Sequence, residues 1–269
     1  MTPELEKRQW QSEYRYHWVA FVTIFAREIR RFMRIWPQTL LPPAISMVLY
    51  FVIFGAVIGS RIGTMSGFSY MTYVLPGLVM MSVITNSFSN VASSFFSNKF
   101  QRSIEELLIS PVPDWIILAG YVLGGVARGV ITGAIVMGLG LFFVELEIYD
   151  LFSTLLAVVM TATMFALAGF INGVLARKFD DISIIPTFVL TPMTYLGGVF
   201  YSIEILPGFW QKVSMLNPIL YQVNTFRYGL LGDAGGIDTG FSFAVMLLAI
   251  LLLGAYSLHL LKTGRGLRS

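Results

Sequence analysis

The chain has 269 residues, of which 56% are hydrophobic and 12% are charged, with a net charge of +3 and no cysteine. Average globular proteins carry about 25% charged residues, and a soluble fold of this length cannot bury so much apolar surface. The composition excludes a soluble enzyme, a nucleic-acid-binding protein and a disordered protein, and it indicates an integral membrane protein. Without cysteine, disulfides and thiolate metal sites are also excluded.

The first patterned segment is His17–Trp36, where large apolar residues recur at three- and four-residue spacing. Four arginines occupy its other side, and Pro37 ends it. A basic helix with an aromatic face is typical of the membrane interface, so the segment predicts an interfacial helix; the alternative is a basic flank that serves only membrane orientation. Its marked residues are Trp18, Arg27, Arg30, Arg31, Arg34 and Trp36.

Six segments are long and apolar enough to cross a bilayer as α-helices. They are Thr39–Ser60, Tyr70–Phe95, Trp115–Val144, Leu151–Leu175, Ile184–Ile203 and Gly240–Leu261. Fourteen of the 18 lysines and arginines fall on one side if the N-terminus is cytoplasmic. The sequence thus predicts a single all-α membrane domain of six spans with both termini in the cytoplasm, and it assigns the basic charge to topology.

Two connections have helical patterns of their own. Arg102–Pro111 reads as a short cytoplasmic helix with an apolar stripe and two adjacent acids, either a solvated turn or a knob that docks into a partner. Glu204–Leu231 contains two apolar runs too short to span, which predict a re-entrant helical hairpin on the outer side. There, Phe209, Trp210, Asn217 and Tyr221 are candidates for an outer gate, or alternatively interface anchors.

The interiors of the six predicted spans contain no Asp or Glu, which argues against the hypothesis of an ion-coupled carrier. The sequence also contains no phosphate-binding loop motif. Arg128 lies alone within the third span and is open to three readings: a substrate-facing charge, an interhelical salt bridge, or a side chain reaching the cytoplasmic interface. Two spans carry polar faces that serve as packing contacts or as a substrate path. These residues are Ser82, Asn86 and Asn90 in the second span and Thr187, Thr191 and Tyr195 in the fifth.

The connecting segment from Arg102 to Pro111 resembles the pattern Gly-Thr-x-Glu-x-Leu-x-x-x-Pro of the ABC type-2 transporter permease family, with Arg and Ser in place of Gly-Thr. The outer residues Leu206-Pro207, Phe209-Trp210 and Asn217-Pro218 are similar to the family's second pattern. Further motifs resemble the YadH group of bacterial inner-membrane permeases within that family. These are Phe32–Trp36, Val91–Phe96, Phe179–Ser183 and Arg265–Ser269.

The resemblance implies a permease subunit of an ATP-driven exporter in the bacterial inner membrane. Such a chain is not itself an enzyme and holds no cofactor or metal; two copies of a separate, YadG-like ATP-binding subunit carry ATP and Mg. A second, identical permease copy completes the path. The substrates that the resemblance implies are lipid-like, drug-like or glycan-type molecules. The coupling helix implied by the pattern comprises Arg102, Ser103, Ile104, Glu105, Glu106, Leu107 and Leu108, with the interfacial helix as a second contact.

Two other functions are compatible with the residues. One is a gradient-driven carrier or channel that acts without an ATPase, and the other is a membrane scaffold for a cytoplasmic protein. Nucleic acid is not a partner in any of the three functions, and membrane lipids surround the protein in all of them.

Overall fold

The computed structural model describes residues 3–59, 61, 63–233 and 235–267, with the side chains of 3–14 and 56–58 left out. The chain is mostly helical, as predicted. The α-helices are α1 (Pro3–Arg34), α2 (Trp36–Tyr50), α3 (Tyr70–Phe100), α4 (Ser103–Ile109), α5 (Asp114–Gly140), α6 (Leu151–Leu175), α7 (Phe179–Ile185), α8 (Thr191–Leu196), α9 (Gly208–Met215), α10 (Pro218–Leu231) and α11 (Thr239–Thr263).

Five shorter elements accompany these helices. Two π-helical segments, Phe51–Gly59 and Pro186–Leu190, extend α2 and join α7 to α8, and Ile203–Ile205 is a single 3₁₀ turn. The strands β1 (Thr64–Met65) and β2 (Phe68–Ser69) form an antiparallel hairpin before α3. The sequence analysis did not predict this hairpin, because two-residue strands leave no periodic pattern.

The predicted interfacial helix is longer than expected and ends close to the predicted residue. It begins at Pro3, not at His17, and ends at Arg34. Pro37 then lies in the first turn of α2, where a missing backbone N–H costs no hydrogen bond. The proline therefore starts the next helix as well as following the last one.

The most buried long helix is α3, which packs against α5 and α6 along much of its length. Close approach of the backbones depends on glycine: a Cβ on Gly129 of α5 would overlap the Ser87 side chain, and one on Gly169 of α6 would overlap the Phe88 carbonyl. Membrane helices usually pack through small residues at such contacts. Because lipid tails are as apolar as the side chains, the hydrophobic effect does not drive the helices together, and close van der Waals packing does.

Five helical stretches in the described part of the chain are long and apolar enough to span a bilayer, one fewer than predicted. They are Trp36–Gly55, Tyr70–Phe100, Asp114–Gly140, Leu151–Leu175 and Thr239–Thr263. The predicted ends at Val144 and Ser60 differ: α5 stops at Gly140, and Ser60 lies outside the described residues, as do Arg268 and Ser269 of the C-terminal motif.

The missing span is the predicted segment Ile184–Ile203, which forms no single regular helix. Its helical path starts earlier, at Phe179, passes from α7 through the π-helical segment into α8, and ends at a turn where Gly198 has φ +71°. Pro186 and Pro192 cannot donate backbone hydrogen bonds, which accounts for the change of helix type beside them.

Candidate coupling surface and polar groove

The connection between α3 and α5 forms the short helix α4, anchored on one side only. The Ile104 side chain is 1% exposed and packs into the core, whereas Glu105 and Glu106 face outward. Ile109, at the last position of α4, is 85% exposed. Leu107 and Leu108 are half-buried. The geometry therefore places two acids and one large apolar side chain on the surface of a helix that the protein itself holds in place.

The turn into α4 has left-handed backbone geometry. Arg102 adopts φ +59°, a conformation that a side chain disfavours and glycine accepts freely. This is the position at which the family pattern has glycine. The turn is thus retained here although the residue has changed.

Hydrogen bonds connect the start of α4 to α1. The Ser103 hydroxyl donates to the backbone carbonyl of Asn98, 3.1 Å away. The Asn98 amide donates to the Tyr121 hydroxyl of α5 at 2.7 Å, and the Arg27 guanidinium of α1 donates to the same hydroxyl at 2.7 Å. These bonds join α4, α3, α5 and α1 in one polar chain, which we call the Arg27–Ser103 chain.

A second polar cluster fixes α1 one turn further on. Glu28 is 1% exposed, and its carboxylate lies 3.4 Å from the Arg31 guanidinium and 3.6 Å from that of Arg27. Arg31 also donates to the backbone carbonyl of Asn90 at 3.0 Å and to its side-chain oxygen at 2.7 Å. Asn90, predicted to line a substrate path, is thus engaged by α1.

Glu28 is a functional candidate that the sequence analysis missed. With Ile24 and Phe32 it forms the buried side of α1 at four-residue spacing, a pattern that was readable in the sequence. Of the arginines placed together on a polar face, Arg27 and Arg31 turn toward the protein. The remaining marked residues of α1 and its junction with α2 are exposed: Trp18, Arg30, Arg34 and Trp36.

The packing of α1 follows α5. His17 contacts the Trp115 ring with centroids 6.5 Å apart, and Glu28 lies against Gly124, two to three helical turns further along both helices. The contacts advance in step, so α1 runs alongside the first half of α5. Its placement in the membrane interface stays a prediction.

A polar groove lies between α3, α5 and α7, with a volume of 430 Å³. The Arg128 guanidinium donates to the Asn86 side-chain oxygen at 3.2 Å. No carboxylate lies within 4.0 Å of Arg128 among the side chains that the structure describes, so the interhelical salt bridge is the wrong reading. The groove is lined by Ser89, Ser93, Arg128, Phe179, Ile182, Ser183, Pro186 and Thr187.

The two predicted polar faces meet only in part. Asn86 and Thr187 come together at the groove through Arg128. Ser82 is buried in the bundle, and Thr191 and Tyr195 lie further along on an exposed side of α8. Ser89 and Ser93 were readable from the sequence as part of the Asn86 face, being three and seven residues beyond it.

The candidate gate residues divide into two pairs. Phe209 and Trp210 are exposed on α9. The Asn217 amide donates to the Met193 carbonyl at 2.6 Å, and the Tyr221 hydroxyl donates to the Met215 carbonyl at 2.7 Å. The second pair therefore holds the α9–α10 turn in place.

Arg227 of α10 is a buried anchor that the sequence analysis did not single out. It donates to the Gly198 carbonyl at 2.8 Å and to the Asn224 side-chain oxygen at 2.9 Å, and its guanidinium lies 4.0 Å from the centroid of the Tyr73 ring. These contacts join α10 to α3 and to the turn after α8.

Comparison with known families defines the class of protein. Residues 19–231 match the model of the ABC-2 type transporter family, and the chain belongs to this family of transport permeases, as predicted. With several helices long and apolar enough to cross a bilayer, it is a multi-pass protein of the inner-membrane permease type.

Within this family, the chain is more similar in sequence to some relatives than to others. The chain is 57% identical over 253 residues to the inner membrane transport permease YadH of Escherichia coli (strain K12), covering 94% of this chain and 98% of that protein. It is also 25% identical over 222 residues to nodulation protein J of Rhizobium meliloti (strain 1021), covering 81% of this chain and 82% of the relative. The predicted resemblance to the YadH group is confirmed.

Proposed function

We propose that this chain is the membrane subunit of an ATP-driven exporter. Two identical copies form the path, and each binds one YadG-like ATP-binding subunit that carries ATP and Mg. The cargo is an unidentified lipid-like, drug-like or glycan-type molecule. Both termini and α4 lie in the cytoplasm, consistent with the bias of basic residues. Membership of a transport permease family supports this proposal.

The observation that carries the proposal is the form of α4. Its buried residue Ile104 ties it to the core, while Glu105, Glu106 and Ile109 point away from the protein. An exposed apolar side chain beside two acids is complementary to a partner groove that has an apolar floor and basic edges. We assign α4 as the coupling helix on this ground.

The Arg27–Ser103 chain supplies a route for motion. A force on α4 would reach Asn98 of α3, Tyr121 of α5 and Arg27 of α1 through hydrogen bonds of 2.7–3.1 Å. A ligand shifts a conformational equilibrium only through contacts that differ between the two states. We assign Arg102, Glu105 and Glu106 as the residues that make those differing contacts with the ATPase.

The proposal is tested by reversing the charge of the two exposed acids of α4, Glu105 and Glu106. The double variant Glu105→Lys, Glu106→Lys should lower co-purification of the ATPase subunit and reduce the permease-dependent part of ATP turnover by about tenfold or more, which corresponds to about 1.4 kcal/mol. The control is Glu145→Lys, Glu147→Lys, an exposed acid pair two residues apart between α5 and α6, which changes the net charge by the same amount and should leave both measurements unchanged. Equal effects of the two double variants would contradict the assignment.

The alternatives make different predictions in the same preparation. A gradient-driven carrier or channel would transport with this chain alone in liposomes under a pH or sodium gradient. A scaffold would bind the ATPase and show no substrate-dependent change in its turnover. The exporter requires both ATPase binding and such a change.

A further inference from the structure

Arg128 lies at the middle of α5 and has no carboxylate within 4.0 Å in the part of the chain whose side chains are described. Its guanidinium bonds to the neutral amide of Asn86, and its Nε atom is buried without a hydrogen-bond partner. Fourteen residues separate Arg128 from the start of α5, about 21 Å at 1.5 Å per residue. An ionised side chain at such depth is costly unless it is paired, and it usually marks a functional site.

The charges around Arg128 do not compensate it. On the α1 side, the Arg31 guanidinium binds Asn90, one helical turn along α3 from the Asn86 that Arg128 contacts, so it adds a second positive charge to this region. The acid of that region, Glu28, already contacts Arg31 and Arg27. Among the described side chains, the Glu28 carboxylate therefore contacts the two guanidinium groups of α1, and that of Arg128 at the groove has no carboxylate partner.

The remaining walls of the groove suit an amphiphile. The hydroxyl groups of Ser89 on α3 and of Thr187 beyond α7 line the groove with Arg128 and can donate to an anion, whereas the Ser93 hydroxyl donates to the Ser89 carbonyl at 2.7 Å. Phe179 and Ile182 supply an apolar wall at the same groove. Beyond it, Phe188 is 73% exposed, so the groove opens onto an apolar surface that a hydrocarbon chain can cover.

We propose that Arg128 binds an anionic group, phosphate or carboxylate, carried by an amphiphilic substrate in this groove. The inference rests on the proposed function, since it assigns a class of cargo to the exporter. Asn86 is a positioning residue: its side-chain oxygen orients the guanidinium, leaving the other donors free. Because an amide carries no charge, it orients Arg128 without neutralising it.

The test uses the purified permease in dodecyl maltoside, without its ATPase. Dodecyl phosphate is the probe, with dodecanol as its uncharged counterpart and inorganic phosphate as the headgroup alone; binding is followed by intrinsic fluorescence and by the thermal unfolding midpoint. We expect saturable binding of dodecyl phosphate and at least tenfold weaker binding of the other two. Equal binding of dodecyl phosphate and dodecanol would overturn the proposal, and equal binding of inorganic phosphate would assign the site to a free anion.

Substitutions at two positions, Asn86 and Arg128, separate a binding role of Arg128 from a structural one. Asn86→Asp places a carboxylate at the position of the present amide oxygen, so it should keep the fold at least as stable while weakening dodecyl phosphate binding about tenfold or more. Arg128→Lys keeps the charge and should bind within a few-fold of the parent, whereas Arg128→Gln should not bind. The control Arg61→Gln removes an exposed arginine outside the groove and should bind as the parent does.

An Asn86→Asp variant that binds as tightly as the parent would overturn the proposal even if Arg128→Gln fails to fold. Since the assay contains no ATPase, its result is independent of the charge-reversal experiment on α4. If the Glu105→Lys, Glu106→Lys variant affects the ATPase no more than its control while dodecyl phosphate still binds, the exporter assignment is refuted and the site stands. If the charge reversal acts as expected but dodecyl phosphate does not bind, the site alone is refuted.

Discussion

Arg102 shows how one residue can keep a turn that its chemistry disfavours. Its φ of +59° lies in the left-handed region, where a Cβ clashes with the following carbonyl and costs roughly 1–2 kcal/mol. The sequence pattern located the turn, because glycine is the residue that the family has at this position. The persistence of the turn despite the substitution was visible only in the backbone.

Replacing Arg102 by glycine should stabilise the protein. We expect Arg102→Gly to raise the unfolding midpoint in detergent by roughly 2–4 °C, as about 1 kcal/mol of strain is relieved. Gln101→Gly, at the neighbouring residue with φ −80°, is the control and should lower the midpoint, because glycine there adds only unfolded-state entropy. A fall in the midpoint for both variants would show that the Arg102 conformation carries no strain.

The helix α6 begins and ends where its apolar run predicts, and side chains secure both ends. At its start, Asp150 accepts a hydrogen bond from the Phe152 backbone N–H at 3.0 Å and another from the Ser153 hydroxyl. At its end, the Lys99 ammonium of α3 donates to the Val174 and Ala176 carbonyls, each 2.7 Å away. The first contact is local and readable from the sequence, whereas the second joins residues 75 and 77 positions apart.

The cap at Asp150 should make stability depend on pH. The Ser153 hydroxyl and the Phe152 and Ser153 N–H groups hold the pKa of the Asp150 carboxyl below its ordinary value. A lowered pKa means that the stabilisation is complete above the unfolded value of about 3.9 and is lost as pH falls through the folded value.

Asp150→Asn tests this dependence, because asparagine retains the capping geometry and removes the charge. The unfolding midpoint of the parent should exceed that of the variant at pH 7, and the difference should shrink as pH falls below about 4. Midpoints measured from pH 7 to pH 3 in one detergent check this. A difference that is constant with pH would contradict the role of the ionised cap.

The arrangement of the complete chain across the membrane depends on the broken segment between α6 and α9. From Phe179 to Leu196 it has 18 helical residues, about 27 Å long, close to the ~30 Å of a bilayer core. If it crosses, six crossings place both termini on one side; if it does not, five place them on opposite sides.

Cysteine labelling decides between these topologies, because the chain has no cysteine of its own. Ile109→Cys on α4 and Trp210→Cys on α9 lie on exposed positions, separated by α5, α6 and the broken segment. We expect a membrane-impermeant maleimide to label the Trp210→Cys variant in spheroplasts. The Ile109→Cys variant should be labelled only in inverted inner-membrane vesicles. Labelling of both from the same side would show that the segment does not cross.

The amino-acid sequence by itself determined the membrane class, the family and most long helices, because apolar runs, prolines and short motifs act over a few neighbouring residues. The tertiary structure alone decided which arginines the Glu28 carboxylate contacts, that Arg27 and Ser103 belong to one hydrogen-bond chain, and that Arg128 has no carboxylate partner among the described side chains. These features depend on partners far away in the chain, such as Asn90 for Arg31 and Asn86 for Arg128. Local patterns cannot specify which helices bring such partners within hydrogen-bonding distance.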